Sequence, residues 1–182
     1  MKEEYAIILD FLPYGYPFDK RPMHVKTPIA QALGKINLVL LELIPKKDVI
    51  LSIHDEVYIG EGKRDKIHHI AGRLLVNKLT ETAKTELNFV IEDIVKKDEK
   101  RFIRFFNEAG PINMRMHQLE LLPGIGKRHM QSILEARDNK LFENFDDLRT
   151  RVSLVPNPEK SVIKRIMLEM EGNEKHNLFI RN

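Results

Sequence analysis

At 182 residues the chain has room for one large hydrophobic core or two small ones, and 42% apolar with 31% charged residues is an ordinary globular balance. The 30 basic and 27 acidic residues leave a net charge of only +3, which excludes a polycationic tail, so any attraction for anions must come from local clustering. Cysteine is absent, which excludes disulfides, thiolate metal sites and cysteine nucleophiles. No apolar run reaches the length of a membrane span, and the start MKEEYAIILDF lacks a secretory h-region and cleavage site, so no membrane partner and a cytoplasmic location are expected.

Residues 1–79 read as β structure. Short apolar runs over 5–12, 23–26, 35–44, 56–59 and 67–76 are separated by breaker-rich turns such as PYGYP, and Gly72 marks a bend in the last run. Strands of this number and length predict a small antiparallel β-barrel, of which the oligonucleotide-binding (OB) barrel is the best-known example. The glycine-bracketed loop 60–66 carries Lys63, Arg64 and Lys66, a cationic tip that suits nucleic acid, with Tyr14, Tyr16 or Tyr58 as stacking platforms. The ordinary alternative is a solvated hairpin tip. His54, His68 and His69 lie near Asp55 and Glu56 in sequence, but adjacent strand residues point to opposite faces, so no metal site is expected. Nothing in the chain calls for a cofactor.

Residues 80–111 read as connecting helices. Thr80 is a good N-cap, and Ala83, Leu87, Val90, Ile91, Ile94 and Val95 follow a 3.6-residue period. Asp98 is placed to cap a second helix, whose Phe102, Phe105, Phe106 and Ala109 form a core stripe joining the barrel to the C-terminal part.

In residues 112–182, Asn113 is placed to cap a helix over 114–121, followed by the turn Leu122-Pro123-Gly124-Ile125-Gly126 and a helix over 127–139. Glycines let the backbone turn sharply, and the next helix begins with unpartnered amides beside Lys127, Arg128 and His129, which together make a phosphate site. Sliding the chain by 33 residues lays Leu119, Leu122, Pro123, Lys127 and Ile133 on Val152, Val155, Pro156, Lys160 and Ile166, a degenerate second copy. In that copy Asn157 replaces Gly124 and still tolerates a left-handed backbone, while Glu159 replaces Gly126 and opposes an anion. The first turn is therefore expected to bind and the second mainly to pack, with Lys160 and Lys164 as secondary cations.

The Pro-Gly-Ile-Gly-Lys turn followed by Phe142-x-x-Phe145-x-x-Leu148 resembles the helix-hairpin-helix motif of DNA repair and recombination proteins, and the doubled form resembles the (helix-hairpin-helix)₂ domain. The resemblance implies backbone contacts to one phosphate at Gly124 and Gly126, with Lys127, Arg128 and His129 as charge partners. It also implies a monovalent cation held on the carbonyls of Glu120, Leu122 and Ile125. Through YIGEGKRDKI, RFIRFFNEAGPINMRMHQLELLPGIGK and FENFDDLRTRV, most of the chain resembles the archaeal domain-of-unknown-function 655 family. That resemblance implies an α+β protein, an OB-like barrel followed by an all-α helix-hairpin-helix pair, with a nucleic-acid role and no established reaction.

The leading functional expectation is a non-catalytic, sequence-tolerant binder of DNA or RNA. A protein-interaction adaptor, with a protein partner in place of nucleic acid, is the alternative. A base-excision enzyme using Asp146 is the third reading. Against it, Asp146 sits in a helix-capping context and Arg128 stands where lyase members carry a lysine.

Overall fold

The computed structural model describes residues 2–181. It divides into two compact units, one formed by Met1–Val90 with Met170–Asn182 and the other by Ile91–Glu169.

In the first unit, β1 (Tyr5–Leu12), β2 (Ile29–Gly34), β3 (Leu40–Pro45), β4 (Glu56–Tyr58) and β5 (Ile67–Arg73) form one antiparallel sheet in the order β4-β1-β2-β3-β5. The sheet curls into a half-barrel. Alternate residues Ala6, Ile8, Ala30, Ala32, Leu41, Leu43, Val57 and Ile67 enter one core cluster, the period of two that pleated strands impose. Ile180 packs against the same cluster, and the Arg181 amide donates to the Asn37 carbonyl at 3.2 Å, so the end of the described chain belongs to this unit.

Two strand expectations need correction, and one strand, β2, has no counterpart among the expected runs. Residues 23–26 are not a strand, since Met23–Val25 is a 3-10 turn. The expected strand over 35–44 is real only from Leu40, because residues 35–38 form a turn. In that turn Leu38 has φ 55°, and the Glu3 carboxylate accepts the amides of Ile36 (2.9 Å) and Asn37. β2 went unread because its apolar pattern is thin and Gln31 sits in its middle. Gln31 is fully buried, with its amide donating to the Lys78 carbonyl (3.1 Å) and its oxygen accepting the Thr80 amide (2.9 Å). A polar residue so completely satisfied can stand inside a core.

Helix α1 (Glu81–Lys97) is capped by Thr80, whose hydroxyl accepts the Ala83 amide at 3.0 Å and donates to Asp10 at 2.6 Å. All six of its periodic apolar residues are buried. Helix α2 (Glu99–Glu108) follows, but the Asp98 side chain makes no capping bond and lies 3.9 Å from Arg101.

The second unit contains α3 (Lys127–Asn139), α4 (Phe145–Arg151) and α5 (Pro158–Met170). Phe102, Phe106 and Phe145 are fully buried, and Phe106 meets Phe145 edge to face at 6.2 Å. Asn107 clamps Phe142 at both backbone groups (2.8 and 3.0 Å), and Glu99 accepts the Phe145 amide at 2.7 Å. Asn144 caps α4 as expected, accepting from Asp147 at 2.7 Å.

The expected helix over 114–121 does not form. Instead β6 (Pro111–Asn113) and β7 (Met116–His117) make a hairpin, followed by a 3-10 turn over Gln118–Leu121. Asn113 accepts the Arg115 amide at 2.8 Å, so its side chain closes the hairpin tip and does not start a helix. His117 and Glu120 then form a reciprocal capping box that opens the 3-10 turn.

Candidate functional site

Residues 122–125 form a tight turn closed by the Ile125 amide on the Leu122 carbonyl at 3.0 Å. Pro123 and Gly124 hold its central positions, and Gly124 has φ 85°, as a type II turn demands at its third residue. A methyl at Gly124 would also lie 3.1 Å from the ring of Pro156. This glycine is required by the fold.

Gly126 is different. Its φ is −94°, which any residue adopts, and a Cβ there would meet nothing within 4 Å. It is the N-cap of α3, and no side chain caps that helix. The first amide with an acceptor is that of Met130, on the Gly126 carbonyl at 2.9 Å. The amides of Gly126, Lys127, Arg128 and His129 find none among the described residues. No acidic residue lies in the first turn. The Lys127 and Arg128 side chains are exposed, with no hydrogen bond or ion pair among the described residues. Free amides, the positive end of a 13-residue helix and two uncommitted cations thus share one helix start, beside the open space at Gly126.

Helix α5 holds this turn from behind. Ser161 Oγ donates to the Pro123 carbonyl at 2.8 Å and Arg165 Nη1 to the Leu121 carbonyl at 3.2 Å. Arg165 is buried and pairs at 2.9 Å with Glu169, which is also buried. Sequence reasoning missed these supports. The signal was present as Ser161, Arg165 and Glu169 at intervals of four on the face that carries Val162 and Ile166. Of the three carbonyls matched to a monovalent cation, that of Leu122 already accepts the Ile125 amide, while Glu120 and Ile125 flank it in sequence.

The second turn is built otherwise. Asn157 caps α5, its side chain accepting the Lys160 amide at 3.2 Å and its carbonyl the Ser161 amide at 3.0 Å. Pro158 opens the helix without an N–H, and Glu159 follows in the first turn, 3.6 Å from Arg149. The left-handed residue is Leu154 (φ 64°) and not Asn157, which corrects the sequence expectation. The repeat holds in the core, where Ile133 and Ile166 are both fully buried, but α5 starts 31 residues after α3 and so begins two residues early in the 33-residue frame. Lys160 and Lys164 are exposed, one helical turn apart.

In the first unit the loop over 60–66 is largely committed to itself. Arg64 Nε donates to the Gly60 carbonyl at 2.8 Å, Lys46 binds the Arg64 carbonyl, and Lys66 lies 3.5 Å from Asp55, which leaves Lys63 uncommitted among the described residues. Tyr58 accepts the Gly62 amide at 3.0 Å and packs edge-on to Tyr5. Tyr14 is exposed. Burial, followed by its bond to Glu42, pushes the Tyr16 phenol up to about 12.

His68 and His69 do not point to opposite faces. The β3–β5 register shifts between Ile44 and Pro45, and this bulge brings their Nδ1 atoms to 2.7 Å. His54 instead meets Glu86 at 2.6 Å. No group of three or more His, Asp or Glu side chains is arranged for a metal among the described residues.

The family model "Protein of unknown function (DUF655)" matches residues 2–181. The uncharacterised protein MJ0038 of Methanocaldococcus jannaschii is 46% identical over 178 residues, which cover 98% of this chain and 79% of that one. The crystal structure of Af1531 from Archaeoglobus fulgidus, of the same family, superposes with a TM-score of 0.89 at 47% identity, covering 98% of this chain and 100% of that one. An α+β chain with this half-barrel and these helices, matched from end to end by archaeal relatives, belongs to the DUF655 family.

Proposed function

We propose that the protein is a non-catalytic, sequence-tolerant nucleic-acid-binding protein that grips a backbone phosphate at the start of α3. The observation that carries this reading is Gly126, a glycine that neither backbone angle nor packing requires, standing in open space at the head of four unpartnered amides. A phosphate oxygen approaching there takes up N–H groups that otherwise need water, with Lys127 and Arg128 supplying charge. Such contacts fix position without reading bases, and they weaken with salt. The turn and the helix that follow resemble a helix-hairpin-helix, the half-barrel resembles an OB barrel, and Lys160 and Lys164 are the secondary cations.

A catalytic role for Asp146 has little support, because its carboxylate is exposed at the start of α4 and paired with Arg149. The test is fluorescence anisotropy of the full chain with labelled duplex and single-stranded oligonucleotides across a salt series. Binding that falls steadily with salt, with duplex binding lost in K127E/R128E, is the expected result. Unchanged binding in that variant, or none at low salt in the native protein, ends the proposal.

A further inference from the structure

The connection between β1 and β2 runs PYGYPFDKRPMHVKTP, and it exposes aromatic and cationic side chains together. Phe18 is 78% exposed yet firmly placed. It sits in a turn closed by the Asp19 amide on the Tyr16 carbonyl at 3.0 Å, with Pro17 before it. Its ring lies parallel to that of Tyr16, with centroids 5.0 Å apart and 7° between the planes. Tyr16 is itself anchored, since its hydroxyl donates to Glu42 and accepts from the buried Gln31 at 3.2 Å. One face of Phe18 is thus backed by a fixed ring, while most of its surface meets water. Exposing an apolar ring is unfavourable, and the ring covers no core. The loop carries Lys20, Arg21 and Lys26 against a single carboxylate, Asp19, which Arg21 neutralises through both of its oxygens (2.7 to 3.1 Å). Lys20 is exposed and without a partner among the described residues.

A fixed aromatic face in a loop that carries an uncommitted lysine, Lys20, and a second lysine, Lys26, near the neutralised Asp19 fits an unpaired base and its phosphates. We infer that the β1–β2 loop holds single-stranded nucleic acid, with one base stacked on Phe18 and Lys20 and Lys26 facing the adjacent backbone. This rests on the nucleic-acid reading above and adds that an unpaired segment is part of the ligand. A duplex keeps its bases stacked inside and offers Phe18 no base face.

The chain has no tryptophan, so F18W places a single reporter at the platform. The probes are dT12 and rU12 beside a 12-base-pair duplex, with the full chain in 50 mM salt. The expected result is quenching of the F18W emission by dT12 or rU12, and a single-strand affinity reduced roughly five- to hundredfold in F18A, with duplex binding unchanged. F18Y restores the affinity, and F89A, at another exposed aromatic, leaves it alone. The two probes separate DNA from RNA. Native single-strand affinity in F18A, with no quenching of bound F18W, overturns this inference while leaving the phosphate reading standing. Loss of duplex binding in K127E/R128E with an intact Phe18 response isolates the α3 site. If the native chain binds none of the probes, both readings fall.

Discussion

The chain enters α3 and α5 through turns of related sequence, but the amides at the two helix starts have different partners. At α5 the Asn157 side chain takes the Lys160 amide, proline removes another donor, and Glu159 meets the positive end of the helix. That start leaves only the Asn157 and Glu159 amides without an acceptor among the described residues. At α3 a glycine stands in the capping position and four amides are left over. A glycine cap forgoes about 0.3 kcal/mol of the stability that Asn, Asp or Ser at the cap supplies. The two turns also differ in direction of support, because α5 donates to the carbonyls before Gly124 and the region of α3 is the one held. One copy has become the brace of the other.

The brace is the most sensitive part of this arrangement. E169A leaves the buried Arg165 without its ion-pair partner and is expected to cost about 3–5 kcal/mol in a denaturant titration. Because Arg165 also reaches the Leu121 carbonyl, phosphate affinity should fall with it. A variant as stable as the native chain would show that α5 is not the support described. G126D comes next. An aspartate there caps α3 and raises stability by about 0.5–1 kcal/mol, while occupying the amides that a phosphate would use. Oligonucleotide affinity should drop by about 1.5–3 kcal/mol, measured by anisotropy, so stability and binding move in opposite directions. G124A is expected to lose about 1–2 kcal/mol from its left-handed backbone alone, and P156A in the same chain should relieve the contact but not the strain. Two glycines two residues apart thus answer different questions, one about folding and one about binding.

The sequence carried this difference only in part. Pro-Gly-Ile-Gly-Lys announced the turn and the start of α3, because glycine, proline and clustered charge act locally and leave a local trace. The periodic apolar residues of α1 and the Asn144 cap were legible for the same reason. What stayed hidden depends on contacts between distant residues. The Leu38 turn has no glycine, and the Glu3 carboxylate closes it from the start of the chain. Gln31 reads as a break in a strand until its partners at Lys78 and Thr80 are known. Asn113 fits a helix cap and a hairpin tip equally well, and pairing with His117 and Met116 decides between them. Adjacent histidines share a side only because β5 bulges, a matter of register that composition does not encode.

Smaller effects sharpen the comparison further. K127Q should lower the slope of log affinity against log salt by about 0.7–0.9, one counterion's worth, whereas K160Q should change it less. The smallest effect is in pH. His117 is buried, and its Nδ1 accepts the Leu119 amide at 3.1 Å, which only the neutral ring can do. Burial, and then Arg137, hold its pKa below the ordinary 6.5, although Glu120 opposes them. The folded state therefore prefers neutral His117. Its contribution to stability is whole above pH 6.5 and is lost as pH falls through the lower folded value. Thermal melts from pH 7.5 downward should show this decline, and H117N, which keeps a side-chain acceptor, should flatten it. An unchanged pH profile in H117N would place the acid sensitivity elsewhere.

The assignment of residues from Met170 onward to the same unit as Met1–Val90 has a consequence for how the chain is made. The strands leave the ribosome before residues 91–169, but Ile180, which packs on their core, leaves after them. In between, the whole of Ile91–Glu169 is synthesised as an insertion with both ends tied into the first unit. The earlier strands must therefore wait, part-built, while the inserted unit is synthesised, and the half-barrel core is completed only once Ile180 has emerged. Cutting the chain at residue 169 would take away more than a tail. It would leave the half-barrel in the unfinished state it passes through during synthesis.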